Sequence, residues 1–379
     1  MPDRKIVLEG THRARTPADT WDIIEPLLPS FGISRVADVT GLDCVGIPVY
    51  VAVRPGSETL AVSQGKGATP DLAKVSAAME AIELWHAERP ATRMVQGTPE
   101  AMCKDYPIEA LSLRDAAAIW RGMTLRWCVG TGILSGAPVP VPADVVEFSL
   151  ATGHDWKPDV FVRSTTGLAS GNTQSEASLH GLYEIIERDV LNTLTAGGRQ
   201  ERRYLDRRTV RVPHLADFFG KLDRAGVTVE VAMIPNEYDL PVAVAYVWSP
   251  EYPVVCGGAG CHSDPAVALS RAVSEAVQSR LTEISGTRDD IESFSDVFTA
   301  TRDDAGFEPG GEEWDRIVDG AGFAETSLAR ELDIVARRVA KVTGYEPVVV
   351  DLSSSPEAFS VVKVIAPGAR DLGRGDIPR

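Results

Sequence analysis

The chain has 379 residues, 44% of them apolar and 24% charged, the balance of an ordinary globular protein with length for a substantial core. Its 38 basic and 54 acidic side chains leave a formal charge of −16 with no basic block, which argues against capture of nucleic-acid phosphates. No apolar run approaches the roughly 20 residues that span a bilayer; the N-terminus carries no signal-peptide core, and five cysteines without a Cys-x-x-Cys pattern favour a reducing cytoplasm over disulfides or structural zinc.

In chain order, residues 1–35 open with Thr11-His12-Arg13 and a helix that Thr16 or Asp19 caps, with Trp21, Ile23, Ile24, Leu27 and Leu28 on its apolar face. A strand over 45–53 ends at Pro55-Gly56, and a second near 60–62 runs into a glycine segment and a helix over 70–88. Residues 123–147 read as strands with Gly and Pro turns, and a helix spans 174–194. Two adjacent strands, 227–234 and 241–248, flank the turn at Pro235-Asn236, and a helix follows over 265–284. The acidic, glycine-bearing stretch 288–314 reads as a mobile loop. A helix over 326–343 and strands over 347–351 and 360–365 close the chain, so the class is α+β with no clean linker.

A glycine loop followed by a helix occurs three times: 63–83, 168–188 and 258–280. Aligned without gaps, Ala73, Ala177 and Ala268 coincide, then Ser76, His180 and Arg271, then Glu80, Glu184 and Glu275, then Glu83, Glu187 and Gln278. Copies about 90–105 residues apart are too widely spaced for a solenoid and suit a pseudo-symmetric core. Residues three apart on a helix share a face, with Cβ atoms roughly 5–6 Å apart. Glu80 with Glu83, and Glu184 with Glu187, are therefore paired carboxylates among apolar neighbours. Such pairs repel, and desolvating them is costly unless a cation compensates. A hard divalent ion with oxygen ligands, most simply Mg2+, resolves the conflict and usually arrives with substrate phosphates. The glycines beside each helix start (Gly65, Gly67, Gly171, Gly260) suit anionic oxygens, and Lys66 adds a cation there.

These residues resemble the YcaO family, whose members use ATP and Mg2+ to activate peptide backbone amides. The family's Ser-x-x-x-Glu-x-x-Glu stretch matches Ser76, Glu80 and Glu83. Its Gly-Asn-Thr segment and acidic helix match Asn172, Glu176, Glu184, Glu187 and Arg188, and its Gly-x-Gly-Cys-His segment through Gln-Ser-Arg matches 258–280. The resemblance implies a single YcaO domain over 1–379, with a helical lead-in at 1–36, a core at 37–366 and a tail at 367–379. It implies that Glu80, Glu83, Glu176, Glu184 and Glu187 hold Mg2+. It also implies that Lys66, Ser76, Asn172, Glu176, Arg188, Arg271 and Arg280 bind ATP, with Arg13, His180 and Arg280 as catalytic candidates. Leu84 stands where many members carry arginine. The ending 373–379 lacks the Pro-x-Pro-x-Pro of many azoline-forming members.

Thr11-His12-Arg13 and the stretch 35–43 are most similar to members that work beside a TfuA protein, in which a backbone amide becomes a thioamide. The expected partners are therefore a precursor peptide and a TfuA-like or leader-binding protein, because residues before 36 leave no room for a leader-binding domain. No nucleic acid or membrane is expected, and a homodimer is. His12 and His262 read as packing residues, with a reach to the site as the alternative, and neither has a metal-binding pair. Cys261 reads as a small buried residue rather than a sulfur carrier. A Mg2+-dependent ligase or phosphotransferase for small molecules would use the same carboxylates and is the alternative class. A non-catalytic nucleotide sensor would lack a glutamate pair, and both pairs are present.

Overall fold

The computed structural model describes residues 4–90, 92–114, 122–149, 160–197, 202–286, 305–307, 310–371 and 377. Most of the stretch read as a mobile loop, 288–314, and most of the 373–379 ending lie outside them.

A short hairpin opens the chain, β1 (Ile6–Leu8) against β2 (Thr11–Arg13). Helix α1 (Pro17–Ile24) follows, with the Thr16 hydroxyl accepting from the Asp19 amide at 3.1 Å. Strands β3 (Arg35–Asp38), β4 (Val49–Val53) and β5 (Val62–Lys66) form an antiparallel sheet that leads into α2 (Pro70–Glu88). Next come β6 (Val95–Gly97), the short α3 (Pro99–Met102), β7 (Leu125–Gly132), β8 (Pro138–Pro142), β9 (Leu168–Gly171) and α4 (Gln174–Gly197). Then follow β10 (Arg203–Tyr204), α5 (Pro213–Arg224), β11 (Thr228–Met233), β12 (Val242–Ser249), β13 (Tyr252–Cys261) and α6 (Pro265–Ser285). The short α7 (Trp314–Ile317), α8 (Leu328–Thr343), β14 (Val348–Asp351) and β15 (Ser360–Ile365) complete the fold.

The second sheet runs β6-β7-β14-β15-β9 with β8 on β7, and the third runs β10-β11-β12-β13. Three apolar cores lie around them. β12 is buried at every position because it is covered on both faces: Val242, Val244 and Tyr246 enter the core under α4 and α8, while Ala243, Ala245 and Val247 enter the core under α5 and α6. β15 splits the same way, Val361 and Ile365 packing toward α2 and Val362 and Val364 toward α4. The class is α+β, as the mixed pattern predicted.

Each sheet ends in an edge strand that feeds one repeated helix: β5 into α2, β9 into α4 and β13 into α6. Each helix also reaches a neighbouring unit. α2 lies against β9, α4 against β13 and α6 against β5, so the three units close into a ring. The sequence reading placed the glycines in loops, and here the structure differs. Gly65 pairs with Tyr50 within β5, and Gly260 pairs with Ala243 within β13. A Cβ on Gly65 would lie 2.0 Å from the Ala77 amide and 2.3 Å from the Ala73 carbonyl; one on Gly260 would lie 2.2 Å from the Ala268 carbonyl. These glycines exist so that backbone can lie directly on backbone. In the middle unit the small residue moves to the helix, where Gly181 takes the position of Ala77 and Ala272.

Candidate active site

Ring closure brings the paired glutamates inward from separate units. Glu80 and Glu83 are half-buried on α2, Glu184 is half-buried and Glu187 buried on α4, and Glu275 is half-buried on α6. Loss of water pushes the Glu83 carboxyl up to about 8, against a 2.5 Å hydrogen bond from Ser170, with Glu80 and Glu184 adding to the rise. Burial pushes Glu187 up to about 7 despite Arg188, helped by Glu275 and Glu184. Burial raises Glu184 as well, while Arg188 and the Gly167 amide, donating at 3.1 Å, oppose it. Burial also works against the Glu275 charge, but Lys66 and Arg188 outweigh it and hold this carboxyl below its ordinary range.

Cations ring these acids. Lys66 donates to Glu275 at 2.6 Å across the seam between the first and third units. Arg188 Nε stands 3.8 Å from Glu187, and Glu187, Glu275 and Glu184 together hold its guanidinium above its usual value against the cost of burial. Arg271 Nη2 donates at 2.7 Å to His180 Nε2, which places the His180 proton on Nδ1. Burial, with Arg271 and Arg13 nearby, depresses the His180 pKa far below its ordinary value. His180 is thus a neutral ring that aims Arg271, since its Nε2 is already engaged. Among the described residues, no three His, Cys, Asp or Glu side chains stand ready to grip an ion. Glu83, Glu184, Glu187 and Glu275 each stand by a local partner, the expected arrangement when like charges must be kept apart. Hard oxygen donors whose charge is opposed by burial, at Glu83 and Glu187 also by neighbouring carboxylates, and which are encircled by phosphate-seeking cations, fit Mg2+ carrying a polyphosphate.

Several expected residues do other work. Glu176 is buried, and its oxygens accept from the Ala14 amide at 2.8 Å and from Asn172 Nδ2 at 3.3 and 3.2 Å, with Arg13 at 3.5 Å. Those bonds anchor the N-terminal hairpin on α4, so Glu176 is engaged by protein donors rather than turned with the other acids. Asn172 Oδ1 accepts from Thr20 at 2.8 Å, which ties α1 to the same point. Arg280 is not brought to the acids. It is 3% exposed and donates to Asp43 at 3.0 Å, a buried pair that fastens α6 to the loop before β4. Ser76 lies half-buried on α2, one turn before Glu80. Cys261 is buried beside Glu187, and burial drives its thiol pKa far above the ordinary value, so the thiol stays protonated.

Two features went unread in the sequence. Glu275 aligned with the ligand glutamates yet stood outside the expected ligand set, because its helix offers Gln278 instead of a second acid. Lys363 is a lone charge in the apolar strand 360–365, and burial pushes its ammonium down to about 8 against Glu184 and Asp371. That isolated lysine was the available signal. A second buried network also surrounds the hairpin. Tyr183 donates to Glu331 at 2.7 Å, Ser263 and Lys5 reach the same carboxylate, and the His12 and His262 rings meet edge to face at 4.9 Å.

A family model described as YcaO cyclodehydratase, ATP- and Mg2+-binding, matches residues 64–370. An uncharacterized protein of Mycobacterium tuberculosis is 38% identical over 369 residues, which span 95% of this chain and 82% of that one. An uncharacterized protein in the tfuA 3' region of Rhizobium leguminosarum bv. trifolii is 38% identical over 296 residues, covering 74% of this chain and 69% of its own. Among solved structures, YcaO from Methanopyrus kandleri bound with AMPPCP and Mg2+ superposes with a TM-score of 0.72 at 25% identity, over 97% of this chain and 95% of that one. A heterocyclase in complex with substrate and cofactor shares the fold at a TM-score of 0.76 and 19% identity, over 97% of this chain and 55% of its own. Sequence match and superposition thus agree with what the glutamate spacing announced: this chain belongs to the YcaO family of ATP- and Mg2+-binding proteins.

Proposed function

We propose that this protein activates a backbone amide of a peptide by ATP-dependent O-phosphorylation, and that the product is a thioamide made beside a TfuA-type partner. The observation that carries the reading is the convergence of Glu80, Glu83, Glu184 and Glu187 from two units, faced by Lys66, Arg188 and Arg271 from all three. Bound Mg2+ neutralises triphosphate charge there. The glutamates orient the ion, Arg188 and Arg271 meet phosphate oxygens, and Lys66 leaves Glu275 for the nucleotide. The partner assignment draws support from the relative whose gene lies in a tfuA 3' region. One domain over 1–379 and a cytoplasmic setting accompany this reading.

Azoline formation is the second reading, favoured by the family's description as cyclodehydratase. Co-expression with the neighbouring short reading frames and any TfuA-like gene separates the two by peptide mass. A gain equal to sulfur for oxygen is the thioamide, and loss of one water is the azoline. Glu187→Gln is expected to lower ATP turnover by about 100-fold or more. Turnover that survives the substitution overturns the metal assignment.

A further inference from the structure

Next to Glu184 on α4 a cleft opens between β15, the segment before β9 and the chain after Ile365, lined by Leu111, Ser112, Ser164, Thr166, Ile185 and Lys363. Its walls are mostly apolar; Arg370 and Asp371 stand at its exposed side, and Lys363, 5% exposed, is its buried cation. The ammonium donates to the Ser164 carbonyl at 2.7 Å. Glu184 and Asp371 act on it electrostatically, but among the described residues no carboxylate forms an ion pair with it. A buried cation is ordinarily paired, and an ammonium has three hydrogens to donate. Lys363 therefore presents unfilled donors to a cleft that can admit an oxygen acceptor, on the side toward Glu184.

We propose that this cleft receives the peptide amide, and that Lys363 is a catalytic residue that binds the carbonyl oxygen and stabilises the oxyanion formed on it. The inference rests on the amide-activating reading above. A hydrosulfide or thiolate donor forms the C–S bond with its lone pair, and the carbonyl π pair moves onto oxygen. That oxygen then bonds the γ-phosphorus of ATP, and the bond to ADP breaks. Lys363 keeps its protons throughout and acts by charge and donor geometry. An apolar surround makes one fixed cation worth more than it is in water. Glu184, which acts on Lys363 electrostatically and would hold Mg2+ with the nucleotide, sets the cleft on the phosphate side of the site.

The test uses the full chain labelled with 15N at lysine Nζ and loaded with Mg2+ and AMPPCP. The probe is N-acetylglycine N-methylamide, a small molecule with a peptide-type secondary amide. The Lys363 ammonium signal, identified by its loss in Lys363→Met, is expected to shift saturably with the probe. A signal that does not move overturns the proposal. With hydrosulfide and ATP, Lys363→Met is expected to lower kcat for amide-dependent ADP release by about 100-fold, the loss of one oxyanion donor. Lys363→Arg keeps the charge and is expected to recover part of the rate. A Lys363→Met kcat near that of the unaltered protein overturns the assignment, and so does loss of AMPPCP binding in both variants, which marks a structural lysine. The two readings separate cleanly. ADP release without a Lys363 shift rejects this role alone, whereas a saturable shift without any ADP release supports the contact and rejects amide activation.

Discussion

At the scale of single residues, charge and water decide most of what this site does. Glu187 and Glu83 keep protons up to about 7 and about 8, whereas an ordinary glutamate has lost its proton above 4.5. Through these two groups the folded chain binds more protons than the unfolded one, and above about pH 6.5, where the buried histidines are neutral in either state, its stability falls as pH rises toward 8. Mg2+ must displace those protons, so its affinity tightens over the same range. Thermal unfolding followed from about pH 7 to 8, with and without Mg2+ and AMPPCP, is expected to show a falling curve without ligand and a widening gap with it. A ligand-free profile that stays level across the window rules the idea out. Arg280 and Asp43 give a second prediction. Arg280→Met leaves a buried aspartate unpaired and is expected to cost about 3–5 kcal/mol of stability, read by denaturant unfolding. Unchanged stability combined with lost nucleotide binding would return Arg280 to the site. The Glu-x-x-Glu pairs were legible because i and i+3 fix a shared face whatever the tertiary context. Arg280 was not, because sequence position along α6 does not say which loop the far turns will meet.

At the scale of elements, helix ends were read well where capping chemistry is local. Thr69 before Pro70 and Asp264 before Pro265 set the starts of α2 and α6, and their side chains accept from Leu72 and Ala266. Strands fared worse. The end of β13 was taken for a glycine loop because Gly258 and Gly260 look like turn residues, yet they answer to a helix lying against them. The β1–β2 hairpin was unread because three-residue strands are too short to show alternation. Gly65→Ala tests the packing role directly. The added methyl meets the α2 backbone rather than a movable side chain, so a loss of about 1–3 kcal/mol is expected together with weaker nucleotide binding. Were Gly65 instead a phosphate contact, affinity would drop while the unfolding midpoint stayed put.

At the scale of the whole molecule, the three units meet through polar contacts at their seams. Ser170 of the second unit donates to Glu83 of the first, Arg271 of the third to His180 of the second, and Lys66 of the first to Glu275 of the third. The repeat was visible in the sequence, but its closure was not, since nothing in a linear pattern says that the first and last copies touch. The ring has a bearing on synthesis. A nascent chain released before α6 has left the ribosome holds both glutamate pairs yet lacks Arg271 and Glu275, and Lys66 has nothing to lean on. Stalled chains ending near residue 264 are therefore expected to ignore nucleotide, while chains extended past Ile365, which also supply β14 and β15 to the second sheet, begin to retain it.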